Sequence, residues 1–189
     1  MQIKILLSLA AIAALSSIGA RAQARAQNEV NFFASSVVGS TPGVTVGGVA
    51  AGGAPWTAKV AVGSVSPGGQ IFVKLVGLVI AAATGVPANL VGTVGPVKEV
   101  AASLVCGGSG GTVAASTGGF PLAADGNATI SGKVTLPAQC QAPVVLVRIF
   151  DPTAAANAQL GAFIALTGFN QVTAPGNSSG NENGDAAHD

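Results

Sequence analysis

Gly107-Gly108-Ser109-Gly110-Gly111 places a serine inside a glycine run that fits the G-x-S-x-G form of a nucleophile elbow. Asp125 or Asp151, followed by His188, would complete a hydrolase order along the chain. The chemistry resists that assignment. An elbow needs a strand-to-helix turn that thrusts the hydroxyl toward its base, and the residues after Gly111 have a strand pattern. His188 is the single histidine and stands next to the last residue of a polar stretch. Nothing there would hold it within about 3 Å of a serine. The same glycines make no phosphate loop, because no Lys-Ser or Lys-Thr pair follows them.

Carboxylates are scarce. Between Pro55 and Phe169 the chain has only Glu99, Asp125 and Asp151, and the two aspartates sit in turn sequences. Glycoside hydrolysis needs two carboxylates facing across a cleft, so Glu99 would have to recruit a turn aspartate. Asn181, Glu182, Asp185, His188 and Asp189 gather metal-ligating types near the end, without the spacing of a calcium loop. Asn127-Ala128-Thr129 and Asn177-Ser178-Ser179 are glycosylation sequons, relevant only in a eukaryotic secretory route. Trp56 is the single tryptophan and tyrosine is missing, which leaves few rings for stacking on sugars. The expectation is therefore no catalytic residue, no cofactor and no metal. The alternatives kept open are a secreted hydrolase using Ser109 or the sparse carboxylates, and a binder of a small apolar ligand between sheets.

The elements around these residues read as β. Hydrophobic residues make up 49% of the chain and charged residues 8%, against about 25% charged in ordinary globular proteins. Such a chain has enough apolar material for a core. With 27 glycines and 10 prolines it favours short strands and tight turns. Trp56, Ala58, Val60 and Val62 alternate with Thr57, Lys59 and Ala61, and Ile71, Val73 and Leu75 continue the period beyond the turn Ser66-Pro67-Gly68-Gly69. Closing that four-residue turn as a hairpin puts Trp56, Val60, Val62, Ile71, Val73 and Leu75 on one buried face. Lys59 and Lys74 then share the opposite, partly covered face with Phe72, Val76 and Leu78. Further strands are expected over 97–106, 112–116, 127–136, 144–150 and 161–169, with a short helical stretch at 153–160 as a rival to turns. Val144–Phe150 is nearly all apolar, which implies cover on both sides. Asp125-Gly126 reads as a hairpin turn with positive φ.

The ends have other roles. Met1 to Lys4, the apolar run to Leu15 and the motifs Ala20-Arg21-Ala22, Ala22-Gln23-Ala24 and Ala24-Arg25-Ala26 have the three parts of a secretory signal. Two cysteines, Cys106 and Cys140, are expected to pair, because an even count in an exported chain implies a disulfide. Cutting after Ala22 leaves six basic and seven acidic residues, a net charge of −1. That balance disfavours nucleic acid and anionic membrane as partners. Residues 171–189 lack Leu, Ile and aromatics and read as a disordered tail.

The organisation expected is a signal peptide at 1–22, an N-terminal strand or linker at 23–54, an antiparallel β-sandwich domain at 55–170 and the tail at 171–189. Lys98-Glu99-Val100-Ala101-Ala102-Ser103-Leu104-Val105-Cys106 resembles a pattern of small exported proteins of unknown function, mostly bacterial. Leu136-Pro137-Ala138-Gln139-Cys140 with Ala142-Pro143-Val144-Val145-Leu146-Val147 resembles the same group. The resemblance spans about residues 55–169. It implies export, the two-cysteine arrangement and the β-domain, and assigns no activity. Function is then expected to lie in a surface, presented outside the cytosol to another macromolecule or to further copies. N-terminal sequencing of the mature protein should find Gln23, Arg25 or Gln27 at the start; a retained Met1 would contradict the signal.

Overall fold

The computed structural model describes residues 33–167. The expected signal peptide and cleavage sites, the expected tail, Asn177 and His188 lie outside the described residues. The strands are β1 (Phe33–Gly39), β2 (Thr45–Val46), β3 (Val49–Ala50), β4 (Trp56–Thr57), β5 (Val60–Val65), β6 (Gln70–Val76) and β7 (Val79–Ile80). They continue as β8 (Glu99–Cys106), β9 (Thr112–Ser116), β10 (Phe120–Pro121), β11 (Ala128–Lys133), β12 (Val144–Phe150) and β13 (Leu160–Thr167). The main sheet runs β10-β8-β12-β13-β1-β5-β6-β11, with β9 also on β8, and all its pairings are antiparallel. The fold is all-β, a sandwich-like sheet curled into a half-barrel.

β1 joins its two halves. Phe33–Ser36 pair with β5, and Val37–Gly39 pair with β13. The strand kept open for the 23–54 segment is β1, and it lies in the middle of the sheet. Gly63 makes the change of partner possible. A Cβ there would stand 2.8 Å from Thr167 Cγ2 and 3.3 Å from Val37 Cγ2, so a side chain would wedge the corner open. At the other margin, Gly132 of β11 lets Thr117 approach: a Cβ would stand 2.7 Å from Thr117 Cγ2. Gly47 and Gly48 both have positive φ and join β2 to β3 in a two-residue hairpin.

The β5–β6 hairpin corrects the expected face. Ser66 N donates to Gln70 O and Gly69 N to Ser66 O, both at 2.9 Å, with Gly69 at φ 80°. The loop is thus three residues, Pro67-Gly68-Gly69, ending in a left-handed glycine. A three-residue loop shifts the register by one from the four-residue turn, and a one-residue shift exchanges the two faces of a strand. The pairs are Ala61↔Leu75, Gly63↔Val73 and Val65↔Ile71 on the inner side, and Val60↔Val76, Val62↔Lys74 and Ser64↔Phe72 on the outer. Trp56, Ile71, Val73 and Leu75 are buried, whereas Val60 is 61% and Val62 47% exposed. Ala61 and Val65 take the inner places instead. The Asp125-Gly126 turn has the same bonds, Ala123 N to Asn127 O and Gly126 N to Ala123 O, with Gly126 alone at positive φ. However, β10 pairs with β8 and β11 with β6, so the expected hairpin does not form there.

The main core lies inside the curl and contains Ile71, Val73, Leu75, Leu104, Ile130 and Val147. Leu78, Ile80, Val94 and Val97, from the stretch between β6 and β8, join it at one end. Val134, Leu136 and Cys140, from the stretch between β11 and β12, pack on it at the other. The Cys106–Cys140 disulfide, with Cα atoms 4.9 Å apart, ties that second stretch to the end of β8. On the chain-entropy model it contributes about 3–4 kcal/mol. A smaller core on the far side of β8, β12 and β13 gathers Val105, Val144, Leu146 and Phe163 under Val46 of β2. Val144–Val147 are accordingly buried on both faces.

Breaks in the ladders are repaired by side chains. Thr117 Oγ1 accepts Ala102 N at 3.0 Å while Thr117 N donates to Ala102 O at 2.9 Å, bridging β9 to β10 along β8. Arg148 spans the irregular β12–β13 register, donating from Nε to Gly161 O at 2.8 Å and from NH2 to Leu160 O at 2.7 Å. Burial lowers its pKa from the ordinary arginine value. The alanines at 153–160 form turns rather than a helix. Urea unfolding should show Ile71→Ala losing about 2–5 kcal/mol and Val62→Ser changing by no more than about 0.5 kcal/mol; the reverse order would restore the four-residue register.

Candidate functional site

The glycine run around Ser109 is a built turn. Gly107 and Gly108 have φ of 99° and 70°, and Gly108–Gly110 form a single 3-10 turn closed by Gly111 N on Gly108 O at 3.1 Å. Gly107 N donates to Gln141 O at 2.7 Å, Gly108 N to Ala142 O at 3.0 Å, and Gly47 N to Ser109 O at 2.9 Å. The turn therefore holds the disulfide-tied stretch and the β2–β3 hairpin together. Ser109 is exposed, and among the described residues no side chain hydrogen-bonds its Oγ. β9, not a helix, follows. Lys98 lies beyond the opposite end of β8, a strand about 25 Å long at the usual rise, so it cannot serve Ser109.

The three carboxylates are not brought to Ser109 either. Asp125 accepts Asn127 N at 3.1 Å and Asn127 Nδ2 at 2.7 Å, while Asn127 Oδ1 accepts Gly77 N at 3.0 Å. The sequon asparagine thus braces the turn after β10. Glu99 begins β8, its side chain lying against Gly119. Asp151 accepts Thr153 Oγ1 at 2.6 Å and Thr153 N at 2.9 Å. The Thr153 hydroxyl, then the backbone N–H groups of Thr153 and Ala154, hold its carboxyl below the usual range. Each aspartate is engaged in shaping a turn. No group of three or more His, Cys, Asp or Glu side chains suited to a metal occurs among the described residues.

What the fold does assemble is an outer face on β5, β6 and β11. The register sets Val62, Lys74 and Thr129 in one row, and Ser64, Phe72 and Ser131 in the next. Val60 pairs with Val76 at one end, and Gln70 with Lys133 at the other. Phe72 is 38% exposed, and with Val60 and Val62 it leaves apolar surface in water. The row carries on into an open, shallow hollow of about 470 Å³ beside Lys74, Val76, Pro121, Asn127 and Thr129. Lys59 stands at the rim, its stem against Gly77 rather than beside Lys74. Leu78, expected on this face, is buried in the core. The sequence displayed the alternation of these strands, but the loop length decided which alternate set faced water.

Comparison with family models, curated proteins and solved structures finds no match to this chain.

Because Asp151 is depressed by bonds made in the folded turn, its contribution is present at neutral pH and is lost as pH falls through its folded pKa. Thr153→Val should raise the Asp151 pKa toward the ordinary carboxylate value, as read by NMR titration of its Cγ; an unchanged pKa would show that Thr153 does not hold it.

Proposed function

We propose that this chain is exported and works without catalysis, acting through its surface, with the outer face of β5, β6 and β11 as the contact face. The observation that carries this reading is the exposure of Val60, Val62 and Phe72 on one side of a hairpin whose other side is fully packed. The solvent side of an antiparallel pair is ordinarily polar, and adjoining exposed apolar side chains mark contact surfaces. The Cys106–Cys140 bond supports an oxidising compartment. Ser109 and the aspartates have structural work in turns, which favours a surface role over hydrolysis.

A serine-reactive phosphonate and a panel of ester, peptide and glycoside substrates test the non-catalytic part. No labelling and no turnover are expected from the oxidised protein. Labelling at Ser109, abolished in Ser109→Ala, would overturn the proposal in favour of a hydrolase.

A further inference from the structure

Charge on this molecule is segregated in a way its overall balance conceals. The described residues include five cations, Lys59, Lys74, Lys98, Lys133 and Arg148, against three carboxylates, Glu99, Asp125 and Asp151. β5, β6 and β11 carry Lys74 and Lys133 outward and no carboxylate, and Lys59 adds a third ammonium at the rim. Asp125, the nearest acidic group in sequence, lies in the turn before β11 and not on the three strands, where it bonds Asn127. The exposed apolar residues lie among these lysines. Val62 sits opposite Lys74, and Phe72 is two residues from it along β6.

We infer that this face docks on an anionic lipid surface, resting on the surface-acting role proposed above. A lysine beside apolar side chains can lay its stem along them and keep its ammonium at headgroup level. Anionic headgroups attract each such lysine, while Val60, Val62 and Phe72 gain by leaving water. The charges select against a second copy, because face-to-face packing would bring lysine-bearing faces together with no carboxylate to meet them. Lys74 is on β6, between β5 and β11, so it does not serve as a guard on a free sheet edge. The chain's own acidic end, with Glu182, Asp185 and Asp189, has no Leu, Ile or aromatic residue from 171 onward to cover the apolar part. The expectation that membranes are disfavoured was read along the chain, where no basic stripe shows; the pairing of β6 with β11 sets Lys74 and Lys133 on one face.

Co-sedimentation of the mature oxidised protein with vesicles tests the inference. Binding is expected to vesicles of phosphatidylglycerol and phosphatidylcholine, to weaken with salt and to fail on phosphatidylcholine alone. Lys74→Gln should weaken binding about fivefold, and Phe72→Ser about tenfold or more, with thermal unfolding checking that each variant folds. Lys98→Gln, on none of the three strands, should bind as the parent does. Several outcomes would overturn the inference: no binding to the anionic vesicles, equal binding to neutral ones, or equal loss in Lys98→Gln. None of these would by itself restore catalysis, which the phosphonate assay addresses separately.

Discussion

Every other arrangement in this domain depends on one strand having two sets of neighbours. β1 hydrogen-bonds β5 over its first residues and β13 over its last, so two sheet halves become one curled surface around a common core. The exchange takes place at a point where backbone replaces side chain. Gly63 leaves room for Val37 and Thr167 to close over it, and a strand glycine is the usual mark of such a bend. At the end of β1, Gly39 comes so close to the Trp56 carbonyl that a Cβ would collide with it. The buried Trp56 is held there by its own N–H on Ser40 O. Curvature here is a consequence of where side chains are missing as much as of where apolar ones occur.

The interior handles polarity locally. Where a ladder breaks, a nearby hydroxyl or guanidinium takes the orphaned backbone group, since a buried unpaired N–H or C=O costs about 1–3 kcal/mol. Thr167 Oγ1 accepts Val145 N at 2.8 Å in the core, and the hydroxyls of Ser103 and Ser116 meet at 2.7 Å. Ser40 Oγ is the buried side-chain atom left without a partner among the described residues. Few charges are needed for such a scheme, which accords with a chain that is only 8% charged.

How much was legible in the sequence followed the range of the determining interaction. Strands at 112–116 and 144–150 were readable to the residue, because local composition and flanking turns fix them. The disulfide followed from the even cysteine count together with the expected export. Register was not legible: Ser66-Pro67-Gly68-Gly69 is compatible with a three- or a four-residue loop, and the difference put Val60 and Val62 in water. A strand was kept open for 23–54, where β1 lies, but the glycines of the β2–β3 hairpin left strand and linker undecided. Val46-Gly47-Gly48-Val49 nevertheless contained the two-residue turn signal, and Gly63 and Gly132 mark where the sheet bends. The outer face was the least readable feature, since Lys74 and Lys133 meet only through the pairing of β6 with β11.

The position of β1 also has a consequence in time. Val37 finds its partner Thr167 only at the far end of the described chain. Loop-closure entropy must be overcome before such a contact can stabilise anything, so topologies of this kind condense late and slowly. As the chain emerges, β1, β5 and β6 can associate early, but the curl stays open along β1 until β13 arrives. A polypeptide that cannot complete its sheet before its last strand is made remains threadable for the whole of its synthesis.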